Sequence, residues 1–134
     1  MNNKEVSLTD FNDGFKNYCF KVLQNFEDIS FNAEENILMN KKLPATTAIH
    51  LNNILQEAMQ NSIKHSKATA INYTLNCDSK FEIRISDNGS GFEMESTKKG
   101  NGLDNMEWRA TEACVALHYE SVPGHGTMVS ITEI

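Results

Sequence analysis

The stretch from Thr69 to Ser86 constrains the fold most. It holds two strand-like runs, Thr69–Asn76 and Phe81–Ser86, separated by the turn-forming residues Cys77-Asp78-Ser79-Lys80. Val115–Ser121 and Thr127–Ile134 read as two further strands joined by the turn sequence Pro123-Gly124-His125-Gly126, and residues 27–39 alternate loosely enough for a strand or two. Between these runs lie helical patterns. Thr9 or Asp10 is placed to cap a helix in which Phe11, Phe15, Tyr18, Val22 and Phe26 form one apolar stripe. Pro44, with Thr46 and Thr47, marks the entry to a longer helix running to about His65 or Ser66, and Leu103, Met106, Trp108 and Ala110 begin a third. Three helices with about six strands exclude a bundle, and the order lacks the strict alternation of a doubly wound parallel sheet. The expected class is therefore α+β: a two-layer α/β sandwich, about three helices on one face of a mixed, mostly antiparallel sheet, with the other face uncovered.

A chain of 134 residues is one domain's length and buries enough surface to need neither disulfides nor a metal for its core. Cys19, Cys77 and Cys114 are odd in number, far apart and without ligand spacing, so they read as three free, buried thiols in a reducing compartment. The N-terminus has no apolar signal core and no run approaches a membrane span, which points to the cytoplasm with no direct membrane contact from this domain. Twelve basic against 18 acidic side chains, net −6, argue against a general nucleic-acid binder, while leaving room for a small basic pocket. Residues 1–26 read as an N-terminal helical segment, either native to the domain or the remnant of a linker.

The long helix carries the first polar signal. At about 100° per residue, His50, Asn53, Glu57, Asn61 and Lys64 share one narrow stripe with His65 at its edge, opposite Leu51, Leu55, Ala58, Met59 and Ser62. An amphipathic helix with a solvated face is the plain explanation. Two Asn and two His are unusual on such a face, however. A carboxylate, an amide and an ammonium at i, i+4 and i+7 also suit a metal-bound polyphosphate.

Three loops add to this. Asp87-Asn88-Gly89-Ser90-Gly91 ends an apolar strand: its glycines let backbone approach a planar ligand, and an ionised Asp87 can accept from an exocyclic amine. Gly100-Asn101-Gly102-Leu103 opens a helix, where free amides and the dipole attract phosphate. It matches neither the Walker pattern nor the dinucleotide fingerprint. Gly124-His125-Gly126-Thr127, taken alone, is a hairpin turn. Each signal is modest; their order and spacing together are not.

Glu57-x-x-x-Asn61-x-x-Lys64-His65, Asp87-x-Gly89-x-Gly91, Gly100-x-Gly102-Leu103-x-Asn105-Met106 and Gly124-x-Gly126-Thr127 together resemble the ATP-binding catalytic domain of sensor histidine kinases. That domain belongs to the superfamily that includes Hsp90, DNA gyrase B and MutL. Arg109-Ala110 after the Gly-Leu-x-Asn-Met stretch, and the short lid between Gly91 and Gly102, look like the nitrate-sensor and lipid-fluidity-sensor branch. The resemblance runs from about Leu43 to Ile134.

The resemblance implies a two-layer sandwich binding ATP with Mg2+. By motif, Asn61 is a magnesium ligand, Lys64 and His65 lie near the phosphates, and Asp87 recognises the adenine amino group. Gly89 and Gly91 admit the base, Gly100 and Gly102 with Leu103 seat the phosphates, and Thr127 reaches the adenine side through water. Glu57 polarises the site or supports the metal. The implied reaction is phosphoryl transfer from ATP to a histidine. None of His50, His65, His118 and His125 is followed by the acidic residue this branch places after its acceptor, so the implied acceptor is a histidine-bearing dimerisation domain outside the chain. A response regulator would follow downstream, and the full-length kinase could be membrane-attached. Two alternatives share the nucleotide motifs: a stand-alone serine kinase of the anti-sigma-factor type, and a module that senses ATP without transferring phosphate. Where the family often has a Gly-Gly turn after its third helix, this chain has Cys114-Val115.

Overall fold

Period-two patterning in the strand-like runs becomes the two faces of one sheet. In the computed structural model, which describes residues 4–65, 67–90 and 101–134, the order is β1 (Glu5–Ser7), α1 (Leu8–Leu23), β2 (Ser30–Ile37), β3 (Lys42–Pro44), α2 (Ala45–His65), β4 (Ala70–Cys77), β5 (Phe81–Asp87), α3 (Asn101–Ala113), β6 (Val115–Val122) and β7 (Gly126–Glu133). Five strands form one sheet in the order β2-β4-β5-β7-β6, and β1 pairs with β3 in a separate two-stranded ribbon. Only β2–β4 is parallel within the large sheet, and α2 lies in the crossover that a parallel pair requires. The three helices cover one face, so the α+β sandwich expected from the sequence is the fold.

On the helix-facing side, Ile71, Tyr73, Leu75 and Cys77 of β4, Phe81, Ile83 and Ile85 of β5, and Val129 and Ile131 of β7 are buried. They meet Leu51, Ile54, Leu55, Ala58 and Met59 of α2 and Met106 and Ala110 of α3. The apolar arc expected on the long helix is thus the core face. Helix α1 adds Leu8, Phe11, Phe15 and Cys19, with the Phe15 ring 5.0 Å from that of Tyr73. A polar cluster, buried at Tyr73 and Asn12 and reaching solvent at Glu35, fixes the same contact. The Tyr73 hydroxyl donates to Asn12 Oδ1 at 2.8 Å, Asn12 Nδ2 donates to Glu35 Oε1 at 3.1 Å, and Lys16 Nζ reaches the same Glu35 oxygen at 2.5 Å. Helix α1 is therefore packed into the body of the sandwich.

Several local expectations are corrected. The cap of α1 is Ser7, whose hydroxyl accepts from the Asp10 N–H at 3.1 Å, and not Thr9 or Asp10. Phe26 lies beyond the end of α1 and is exposed, so the stripe ends a turn earlier than its spacing suggests. The three-residue strands β1 and β3 are too short to carry a period and were not anticipated. Cys19 and Cys77 are buried free thiols, and burial pushes the Cys19 thiol up to about 12. Cys114 is exposed rather than buried; it directly follows α3 at φ +58°, in the left-handed conformation that a glycine adopts without strain.

Candidate functional site

The alternation that buries Phe81, Ile83 and Ile85 also buries the last residue of β5, Asp87. Register sets what stands beside it. Asp87 is paired with Ile71 on one side and Thr127 on the other, and Thr127 pairs with Ser121. One cross-strand row, Ile71-Asp87-Thr127-Ser121, thus turns from apolar to polar at the end of the sheet. Thr127 Oγ1 and Ser121 Oγ lie 3.2 Å apart.

The Asp87 carboxylate is held from two sides. Ser62, buried on α2, donates its hydroxyl to Oδ2 at 2.6 Å, and the Gly89 N–H donates to Oδ1 at 2.8 Å. Both donors are neutral, and among the described residues Asp87 forms no ion pair. An ionised carboxylate with unused lone pairs and no cation is suited to a hydrogen-bond donor from outside the chain. Asn88 turns the other way. Its Oδ1 accepts from the Thr69 and Ala70 N–H groups, both at 2.9 Å, and clamps the start of β4 to the end of β5.

Gly126 stands against this strand end. Its φ is +93°, and an added Cβ would lie 2.0 Å from the Asp87 carbonyl oxygen. Gly124 also has a positive φ, +81°, but open space around its Cβ position. Of the two glycines read from the sequence as a plain turn, Gly124 shapes the hairpin and Gly126 lets it close on Asp87. The hairpin is also tied to the loop after β5 by the Gly124 N–H, which donates to the Ser90 carbonyl at 2.5 Å.

A second polar region opens alongside, between α2 and α3. A cleft of about 240 Å³ is lined by Asn53, Gln56, Glu57 and Gln60 of α2, Asn105, Met106 and Arg109 of α3, and Tyr18 of α1. Arg109 Nη1 lies 3.4 Å from His50 Nδ1, and the exposed Trp108 ring stands edge-on to His50 with centroids 5.7 Å apart. Tyr119 is half-buried on β6. Burial pushes its hydroxyl up to about 12, with smaller contributions from the negative charges of Asp87 and Glu57.

The structure brings Asp87, Gly89 and Thr127 together at the sheet end and sets Glu57 in the cleft. Asn61 is half-buried one turn beyond Glu57, and Lys64 is exposed near the end of α2. Leu103 is half-buried in the first turn of α3 and packs on the core, and Gly102 is part of the same turn. Gly91, Gly100 and the His65 side chain lie outside the described residues. The sequence pattern puts Ser62 and Tyr18 only on apolar helix faces and gives no part to Ser121 or Gln60. Each is a single residue without motif spacing, and tertiary packing alone brings it to the site.

The model of the family described as histidine kinase-, DNA gyrase B-, and HSP90-like ATPase matches residues 46–133, and the chain belongs to that family. It is 38% identical over 92 residues to the sensor protein VraS of Staphylococcus aureus, an alignment that takes in 67% of this chain and 26% of VraS. The chain therefore spans about a quarter of the length of the curated relatives it matches. Among solved structures, the catalytic domain of histidine kinase ThkA superposes with a TM-score of 0.76 at 16% identity, covering 99% of this chain and 97% of that one. The ATP-binding domain of PrrB from Mycobacterium tuberculosis gives 0.71 at 20% identity, covering 94% and 92%. These two likenesses concern the fold.

Proposed function

We propose that this chain is the catalytic domain of a two-component sensor histidine kinase. It binds ATP beside the α2–α3 cleft and passes the γ-phosphoryl group to a histidine on a dimerisation domain outside the chain, for relay to a response regulator. The observation that carries the reading is the buried Asp87 carboxylate, which forms no ion pair among the described residues and stands in the strand-end row beside Thr127, with Gly126 against its backbone. An adenine amino group donates to such an acceptor, whereas the carbonyl at the same position of guanine is repelled by it. Thr127 completes the base side.

The phosphates then lie toward Asn61 and the first turn of α3, where the Gly102 and Leu103 amides are among those a helix leaves without an internal partner. The Asn61 side-chain oxygen and the Glu57 carboxylate share one face of α2, a turn apart, and fit a hard cation. Magnesium, when bound, neutralises charge on the polyphosphate. Glu57 polarises this end of the site, and Lys64 and His65 stand at the end of α2 to meet the transferred group. In the reaction a lone pair on the acceptor imidazole forms the new P–N bond as the bond from the γ-phosphorus to the bridging oxygen breaks, leaving ADP. The domain's contribution is position and charge neutralisation.

The work belongs in the cytoplasm, within a longer kinase attached to a membrane. Among the described residues no helix is long and apolar enough to cross one. The test is to supply a separate helical hairpin bearing a histidine followed by an acidic residue, with radiolabelled ATP and magnesium. Acid-labile label on the hairpin is the expected result. Saturable ATP binding with no transfer would favour a module that senses ATP, and acid-stable label on serine would favour a serine kinase.

A further inference from the structure

Ser62 has no part in the motif reading, yet it makes the shorter of the two hydrogen bonds to the Asp87 side chain. We propose that Ser62 is a positioning residue for base selection: its hydroxyl fixes the Asp87 carboxylate in the rotamer and donor–acceptor polarity that favour adenine over guanine. The inference rests on the reading of Asp87 as the acceptor for adenine.

The geometry supports it in three ways. Ser62 is 5% exposed and Asp87 8%, so water has little access to compete for the bond. Ser62 Oγ donates to Oδ2 at 2.6 Å, while Oδ1 is bound by the Gly89 N–H at 2.8 Å. With one donor on each oxygen, rotation about the bond to the carboxyl group breaks both, so the plane of the carboxylate is set. The two donors also come from different elements. Gly89 belongs to the loop that follows β5, whereas Ser62 belongs to α2, the helix that also carries Glu57 and, immediately before Ser62, Asn61. The Ser62 bond therefore ties the base-reading group to the helix that meets the phosphates. Loss of the hydroxyl leaves a carboxylate free to turn or to take up water in place of the ligand.

The test measures Mg·ATP and Mg·GTP affinities of the 134-residue chain by calorimetry, with melting temperature recorded for each variant. Ser62→Ala is expected to weaken ATP binding about tenfold, the size of one hydrogen bond to a charged group, and to leave GTP binding within about twofold. Because alanine removes packing volume along with the hydroxyl, Ser62→Thr and Ser62→Val form a second pair, equal in shape, with a methyl in place of the hydroxyl. Threonine should keep the preference for ATP over GTP, and valine should lose it. Equal discrimination in the threonine and valine proteins would overturn the role of Ser62. The Asp87→Asn protein separates this failure from failure of the underlying reading. If Asp87→Asn loses ATP selectivity and the Ser62 variants do not, only the Ser62 proposal falls; if Asp87→Asn keeps it, both fall.

Discussion

Two polar clusters sit at the helix–sheet interface, one running from buried Asn12 and Tyr73 out to the solvent-accessible Glu35–Lys16 pair and the other buried around Asp87, and they differ in what they leave unsatisfied. At the α1 side, Glu35 accepts from Asn12 and from the Lys16 ammonium, and Tyr73 donates to Asn12. The Lys16 hydrogen bond holds the Glu35 carboxyl below the usual carboxylate range. Charge is met by charge, and every member is a side chain of the protein. At the other end Asp87 receives a serine hydroxyl and a backbone N–H and, among the described residues, no cation. The first cluster is complete and holds α1 on the sheet. The second is rigid yet electrostatically open, which is the condition a ligand-reading carboxylate needs. Burial of a polar group does not by itself distinguish structure from function; the remaining valence does.

Substitutions at the two hairpin glycines sharpen the contrast most. Gly126→Ala drives a methyl into the Asp87 backbone, with 2.0 Å to its carbonyl oxygen. It should cost about 3 kcal/mol or more and abolish ATP binding, because β7 must withdraw from β5 at the site. Gly124→Ala meets no atom within 4 Å and carries only the penalty of its positive φ, about 1 kcal/mol, with ATP affinity kept. Thermal melts and ATP titrations of the two proteins check this. Equal losses would mean that Gly126 acts only through the turn.

The smallest expected effect lies outside both clusters. Cys114 holds φ +58° at the end of α3, with its N–H bonded to the Thr111 carbonyl at 3.1 Å. Cys114→Gly should therefore stabilise the fold by about 1 kcal/mol and leave nucleotide affinity unchanged. An unchanged or lower melting temperature would show that the cysteine side chain offsets the strain.

The helical faces and long strands were legible because burial imposes a period on them. The buried arc of α2 and the alternation through β4 and β5 are written in the order of residues, and so is the turn at Pro123–Gly126. The motif residues Asp87, Gly89 and Thr127 were legible as a spaced set. Ser62 was not, since a small residue on an apolar arc looks like packing until the end of β5 is placed beneath it. Gly126 looked like Gly124 for the same reason: the close approach that separates them comes from a strand 39 residues earlier. The strands β1 and β3 escaped because three residues cannot display an alternation. Cys114 was visible only as a departure from the Gly-Gly turn common in the family, and its left-handed conformation gives that departure its physical meaning.

The central claim is that the polar cluster at α1 is structural and the one at Asp87 reads adenine. The most direct test is calorimetric titration of Mg·ATP and Mg·GTP into Asp87→Asn, with Asn12→Ala as its counterpart. In Asp87→Asn the Gly89 N–H keeps an oxygen acceptor and the Ser62 hydroxyl can reverse to accept, so the fold should survive. ATP affinity should fall about 10- to 100-fold and GTP affinity should change little. Asn12→Ala leaves Tyr73 and Glu35 short of a partner and should lose about 2 kcal/mol of stability while binding ATP normally. If Asp87→Asn binds ATP as tightly as the unaltered chain, or loses ATP and GTP alike, Asp87 is not the adenine reader and the account is wrong.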